Sequence, residues 1–116
     1  MTRYGFVSTF PPTRCGLATF TAALAGVLAA RPGDESVIVR VDDGVPAGPS
    51  LPSSRLRIAG ILHPGDLPSR IRAAVALNRC DVVVVQHEYG IYGGTDGEEV
   101  IDLLDRIRRP VVTVMH

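Results

Sequence analysis

The sequence predicts an α/β domain in which helices cover both faces of a parallel β-sheet. Three observations carry that expectation. Short apolar runs alternate with helix-patterned stretches along the 116 residues. One run, Asp81-Val82-Val83-Val84-Val85-Gln86, holds four consecutive valines, the pattern of a strand covered on both faces in the middle of a parallel sheet. The order strand, helix, strand, strand, helix, strand, helix, strand then returns the chain repeatedly to one sheet.

Residues 4–9 (Tyr-Gly-Phe-Val-Ser-Thr) predict the first strand, which a Pro11-Pro12 turn ends. A helix is expected from Gly16 to about Ala30, with Leu17, Phe20, Leu24, Val27 and Leu28 on one face. Arg31-Pro32-Gly33 stops it. Residues 36–41 read as the second strand, and Asp42 to Ser54, with three prolines and two glycines, as a loop. Residues 56–62 form a third strand, whose direction the sequence leaves open because no helix precedes it.

Asp66 is placed to cap a helix running to about Asn78, with Pro68 in its first turn and Ile71, Ala74 and Val75 facing inward. After the valine strand, a glycine-rich loop at 89–97 leads to a third helix, where Asp96 and Glu99 have capping-box spacing. Val100, Leu104 and Ile107 make its apolar stripe. Its acids (Glu98, Glu99, Asp102) come early and its arginines (Arg106, Arg108, Arg109) late, which suits the helix dipole. Pro110 ends it, and Val111 to Met115 form the last strand. His116 follows directly, with no further helix, so the sheet is expected to be incomplete at the C-terminus and the domain partial.

Hydrophobic residues make up 46% and charged residues 21%, a globular composition. Twelve basic and twelve acidic residues cancel, so no basic face for nucleic acid is expected. Cys15 and Cys80 lie far apart with no CxxC pair, as expected of reduced thiols in a cytoplasmic protein. The apolar run Leu17–Ala30 loosely resembles a signal peptide, but the preceding strand, Pro11-Pro12 and its helical face oppose that reading. The run is also too short for a transmembrane segment, which needs about 20 residues.

Ligands of open parallel sheets bind beyond the carboxyl ends of the strands, near the switch in strand order. Three segments are expected there. In Pro11-Pro12-Thr13-Arg14-Cys15-Gly16, the helix N-terminus and Arg14 suit a phosphate, and Gly16 lets a ligand approach the backbone; the same residues also make an ordinary turn. Gln86-His87-Glu88-Tyr89-Gly90-Ile91-Tyr92-Gly93-Gly94 crowds polar groups past the buried valines; His87 and Glu88 also suit local satisfaction of the loop backbone, and Tyr89 and Tyr92 offer flat faces to a sugar, although tyrosine is also a common packing residue. His116 is the third, beyond a strand expected beside the one that ends in His87. Neither GxGxxG nor a P-loop is present, which argues against a nicotinamide dehydrogenase or an NTPase.

Three stretches resemble the N-terminal domain of family-four retaining glycosyltransferases: Ser-Thr-Phe-Pro-Pro-Thr-Arg-Cys-Gly-Leu-Ala-Thr-Phe-Thr, Val-Val-Gln-His-Glu-Tyr-Gly-Ile-Tyr-Gly-Gly and Pro-Val-Val-Thr-Val-Met-His. The resemblance covers nearly the whole chain and is weakest between residues 42 and 63. It implies the GT-B architecture, two Rossmann-like domains facing across a cleft, with this chain as the acceptor-side half and the donor-binding C-terminal domain absent. It implies transfer of a sugar from a nucleotide-diphosphate co-substrate to a sugar or polyol hydroxyl, with retention and no bound cofactor; the three histidines and two cysteines show no metal-ligand spacing, so no metal is expected. By the same resemblance Arg14 and Gly16 lean toward the donor phosphates, where many relatives carry two glycines and this chain one. His87, Glu88, Tyr89, Gly90, Gly93 and Gly94 line the acceptor side, and His116 stands near the transferred sugar as the catalytic residue. The isolated chain is expected to be inactive. Two other readings stay open. One is a metal-dependent hydrolase using His63, His87, Glu88 and His116, although no HExxH or HxH spacing supports it. The other is a non-catalytic α/β ligand-binding module.

Overall fold

The structure, a computed structural model, describes residues 1–13, 15–45, 55–87, 92, 94 and 97–115. The elements follow the expected order: β1 (Arg3–Ser8), α1 (Gly16–Leu28), β2 (Glu35–Val41), β3 (Leu56–Leu62), α2 (Leu67–Leu77), β4 (Val82–His87), α3 (Glu99–Arg106) and β5 (Val111–Met115). The strands form one all-parallel sheet in the order β3-β2-β1-β4-β5. The protein is thus an α/β, Rossmann-like domain. β3, whose direction the sequence left open, runs parallel to β2, with a register irregularity between Ile38 and Val39.

Alternation along the strands builds two cores. Phe6, Ile38, Leu56 and Val84 face one side and meet Phe10 and Ala25 beneath α1. Val7, Val39, Val41, Val83 and Val85 face the other and meet Ala73, Ala74 and Leu77 of α2 with Val100 and Leu103 of α3. Gly5 of β1 lies under the end of α2, where a Cβ would come within 2.9 Å of Leu77 Cδ2 and 3.0 Å of Cys80 Sγ. The strand position therefore excludes a side chain because α2 packs directly onto it.

The helices bury faces that differ in part from those expected. α1 presents Leu17, Ala18, Thr21 and Ala25 to the sheet, leaving Phe20 and Val27 exposed and Leu24 and Leu28 at the rim. α2 buries Ser69, Ala73, Ala74 and Leu77, while Ile71 and Val75, expected to face inward, are 42% and 49% exposed. In both helices small residues set the contact, because they let the helix axis approach the sheet closely. Turning α2 to bury Ile71 would take Leu77 off Gly5. In α3, Leu103 joins Val100 as fully buried, Ile107 lies just past the helix, and Leu104 is only partly covered.

Asp66 caps α2 as expected, accepting the Ser69 N–H at 3.1 Å. Glu99, expected to close a capping box with Asp96, turns Oε1 to the Gly65 N–H (2.8 Å) and to Arg70 (2.9 Å). Asp96 lies outside the described residues, and the residue before α3, Glu98, makes no side-chain cap. Arg70 also donates to Asp102 at 2.9 Å, and Arg106 reaches the same carboxylate at 2.9 Å. This network ties the first turns of α2 and α3 together.

The hydrogen bonds from Arg106 and Arg70 hold the Asp102 carboxyl below the usual carboxylate range. A depressed folded-state value adds stability above the unfolded carboxylate value of about 3.9, and that contribution disappears as pH falls through the folded value. Asp102→Asn is expected to flatten the acid limb of urea-unfolding stability below about pH 5. An Asn variant losing stability with acid as steeply as the parent would show that the network contributes nothing.

β5 is an edge strand, and Val112 and Met115 stand 53% and 69% exposed. Its backbone pairs along one side only, whereas Val83 to Val85 of β4 sit between two partners and under helices. Hydrogen exchange is expected to open Val111–Met115 far more readily than Val83–Val85. Equal, strong protection of both strands would contradict this.

Candidate functional site

The strand order reverses between β1 and β4. From β1 the chain passes through α1 on one face to β2, and from β4 it passes through α3 on the other face to β5. The connections from β1 and β4 therefore lead to opposite faces, the arrangement that in open parallel sheets marks a ligand crevice at the carboxyl edge. Val7 pairs with Val85, and two residues further along that register Thr9 draws level with His87. His87 in turn pairs with Met115 at the end of β5. The segments singled out from sequence thus leave from three adjacent strands.

On the β1 side, Cys15 is the N-cap of α1, and its Sγ accepts the Ala18 N–H at 3.3 Å and lies 3.4 Å from Thr9 Oγ1. A thiol is a weaker acceptor than the hydroxyl or carboxylate usual at this position. Gly16 is exposed, and a Cβ built there would meet nothing within 4 Å, so the chain's own packing does not demand glycine at this point. Arg14 lies outside the described residues.

On the β4 side, His87 is half-buried and its ring centroid lies 6.1 Å from that of Tyr92. Tyr92, expected to offer a stacking face, instead belongs to the core beneath α3. Its hydroxyl donates to the Gln86 carbonyl at 2.6 Å and stands 3.3 Å from that of Val7, and burial pushes its pKa up. The aromatic ring is spent on joining the loop to β1 and β4, since a buried phenol needs a partner for its O–H. Gly94 has φ +85°, a backbone conformation that L side chains rarely adopt, so the backbone itself favours glycine there. Glu88, Tyr89, Gly90, Gly93 and His116 lie outside the described residues.

Sequence reasoning missed Arg40. It sits at the end of β2, only 2% exposed, and reaches both neighbouring loops. Its guanidinium donates to Thr13 Oγ1 (3.1 Å) and the Val45 carbonyl (3.0 Å), lies 3.4 Å from the Phe10 carbonyl, and pairs with Asp43 at 3.5 Å. Thr13 donates in turn to Asp43. Burial raises the Asp43 pKa, but the bonds from Thr13 and the Val45 N–H, with the Arg40 charge, outweigh it and hold the carboxyl low. Arg40 thereby fixes the loop after β1 to the loop after β2. The only sequence signal was an arginine inside an apolar strand, at a position whose parity points inward.

Beyond it, Asp42 pairs with His63 Nδ1 at 3.0 Å, and its pKa is lowered first by the Gly44 N–H and then by His63. His63 follows β3 whereas His87 ends β4, with β2 and β1 between them. Three strand spacings of about 4.8 Å put them roughly 14 Å apart, so the hydrolase reading loses one of its histidines. Among the described residues, no three His, Cys, Asp or Glu side chains converge as metal ligands. Cys15 is exposed and Cys80 buried, and burial pushes the Cys80 thiol up. No described helix is long and apolar enough to cross a membrane.

Comparison with protein-family models, with curated proteins and with solved structures gives no match.

Asp43→Ala is expected to destabilise the protein by about 1–3 kcal/mol, because it strips a buried guanidinium of its only carboxylate among the described residues. Urea unfolding measures this. A change within a few tenths of a kcal/mol would mean that the carbonyls alone satisfy Arg40.

Proposed function

We propose that this chain is the acceptor-side part of a retaining glycosyltransferase, moving a sugar from a nucleotide-diphosphate sugar to an acceptor hydroxyl in the cytoplasm. The observation that carries the reading is the coincidence of motif and topology. The three stretches that resemble such enzymes span the carboxyl ends of β1, β4 and β5, the adjacent strands at the switch point. A sheet of this kind binds its ligands there. The chemistry has few steps for protein groups: orienting the acceptor hydroxyl, and stabilising the charge that builds on the departing diphosphate and at the anomeric carbon.

On this reading the N-terminus of α1, open at Gly16, faces the diphosphate, with Arg14 beside it. His87 and the glycine-bearing loop to Gly94 border the acceptor. His116, one residue beyond Met115, follows the strand paired with the one that ends in His87. It supplies a hydrogen bond that strengthens as the glycosidic bond to the donor breaks. The donor domain lies outside this chain, so the 116 residues alone do not transfer sugar.

Steady-state kinetics with a panel of nucleotide sugars, on the polypeptide including its downstream reading frame, test the proposal. His116→Ala is expected to lower turnover about a hundredfold to a thousandfold, the usual cost of losing one transition-state donor. Donor binding is expected to change much less. Transfer by the 116-residue chain alone, or unchanged turnover in His116→Ala, would overturn the assignment.

A further inference from the structure

Charge also gathers at the edge of the sheet opposite the crevice. Because α2 runs against the strands, its carboxyl end lies over the amino ends of β1, β2 and β3. A cavity of about 100 Å³ opens there, lined by Arg3, Val37, Arg57, Ala59, Ala76 and Arg79. The three arginines come from β1, from β3 and from the residue after the Asn78 cap of α2. No lining residue is acidic.

Arginines near the carboxyl end of a helix ordinarily bond its last carbonyls. Here those carbonyls have other donors. Ala76 and Leu77 accept the Arg79 and Cys80 N–H groups, Asn78 accepts Arg109, and the Arg79 carbonyl accepts Arg3. Ion pairing does not account for the group either. The carboxylates of this edge are committed: Asp34 to the Thr2 N–H at 2.7 Å, Asp81 to the Arg3 N–H at 2.8 Å, and Glu35 to the Arg3 guanidinium. Among the described residues, the Arg57 and Arg79 side chains make no hydrogen bond or ion pair. Like charges converging on one small space repel, and an anion between them removes that repulsion.

We propose that this cavity binds a single oxyanion, held by Arg3, Arg57 and Arg79. The ligand is phosphate or sulfate as a free ion, or the phosphoryl group of a small ester. Guanidinium groups match such oxygens in geometry as well as charge, and the volume takes one such group and little more. The site is independent of the proposed sugar transfer, since it lies at the amino edge and uses none of the crevice loops.

NMR titration of the 116-residue chain with sodium phosphate at constant ionic strength is the test, read on the arginine side-chain Nε–H signals. Saturable shifts are expected at Arg57 and Arg79, and none at Arg72, whose side chain is 70% exposed on α2 outside the cavity. Arg57→Gln and Arg79→Gln alter exposed residues, so neither disturbs the core. Each is expected to weaken phosphate binding about tenfold or more, the loss of one charge-assisted contact. Arg72→Gln is expected to leave binding unchanged. Glycerol phosphate separates the two sources: binding as tight as phosphate or tighter assigns the ester, and weaker binding assigns the free ion. Shifts that fail to saturate, or that spread alike over all the arginines, overturn the inference. So does binding that survives both pocket substitutions, or that Arg72→Gln weakens as much as they do.

Discussion

Strand β1 is paired along both edges and buried on both faces, and the rest of the molecule takes its position from it. Phe6 points into the core under α1 and Val7 into the core under α2 and α3, both fully buried. Each such side chain contributes about 1.5–3 kcal/mol relative to exposure. Gly5, just before them, admits the end of α2 to close contact. Because β2 and β4 flank β1 in parallel, their connections must cross to opposite faces to cover both sides. The crevice at the carboxyl edge is a consequence of that crossing and precedes any choice of ligand.

Hydrophobic burial places the elements; polar contacts lock the loops. Arg40 binds the turn after β1 to the turn after β2, Tyr92 binds the loop after β4 to β1 and β4, and Arg70 joins α2 to α3. All three are long side chains that span between elements with their polar ends satisfied, the condition under which burying such groups is tolerated. They also divide the labour. Arg40 and Tyr92 stiffen the edge where the crevice lies, whereas Arg70 stiffens a helical layer far from it.

The strands were legible in the sequence because their signal is local: a valine run or an alternating apolar stretch reads the same wherever it packs. Helix existence was legible for the same reason, from Asp66 as a cap and Pro110 as a stop. Helix faces were not. Phe20, Val27, Ile71 and Val75 are the large apolar residues of their helices, and a reading that seeks the most hydrophobic stripe selects them. The sheet instead selects Ala18, Ala25, Ala73 and Ala74, because closeness of approach outweighs the size of any one side chain. In the site, Gly94 was legible as a special residue, although its positive φ explains it without a ligand. Tyr92 was misread because the sequence cannot say that its hydroxyl has backbone carbonyls within reach. Arg40 went unnoticed because its partners, Thr13 and Asp43, come from two different loops.

The exposed apolar residues of α2 follow from the same preference. A helix that reaches the sheet through alanines turns its larger residues away from it, so Ile71 and Val75 become surface as the cost of close packing at Gly5. Such residues are ordinary when scattered. Here they line a groove on the outer side of α2 and α3, while the crevice lies at the carboxyl edge of the sheet, reached from the loops after β1 and β4. The carboxyl edge is built from loops, which can vary in sequence without disturbing the sheet, whereas the outer side of the layer is made of helix residues that the sheet has already rejected.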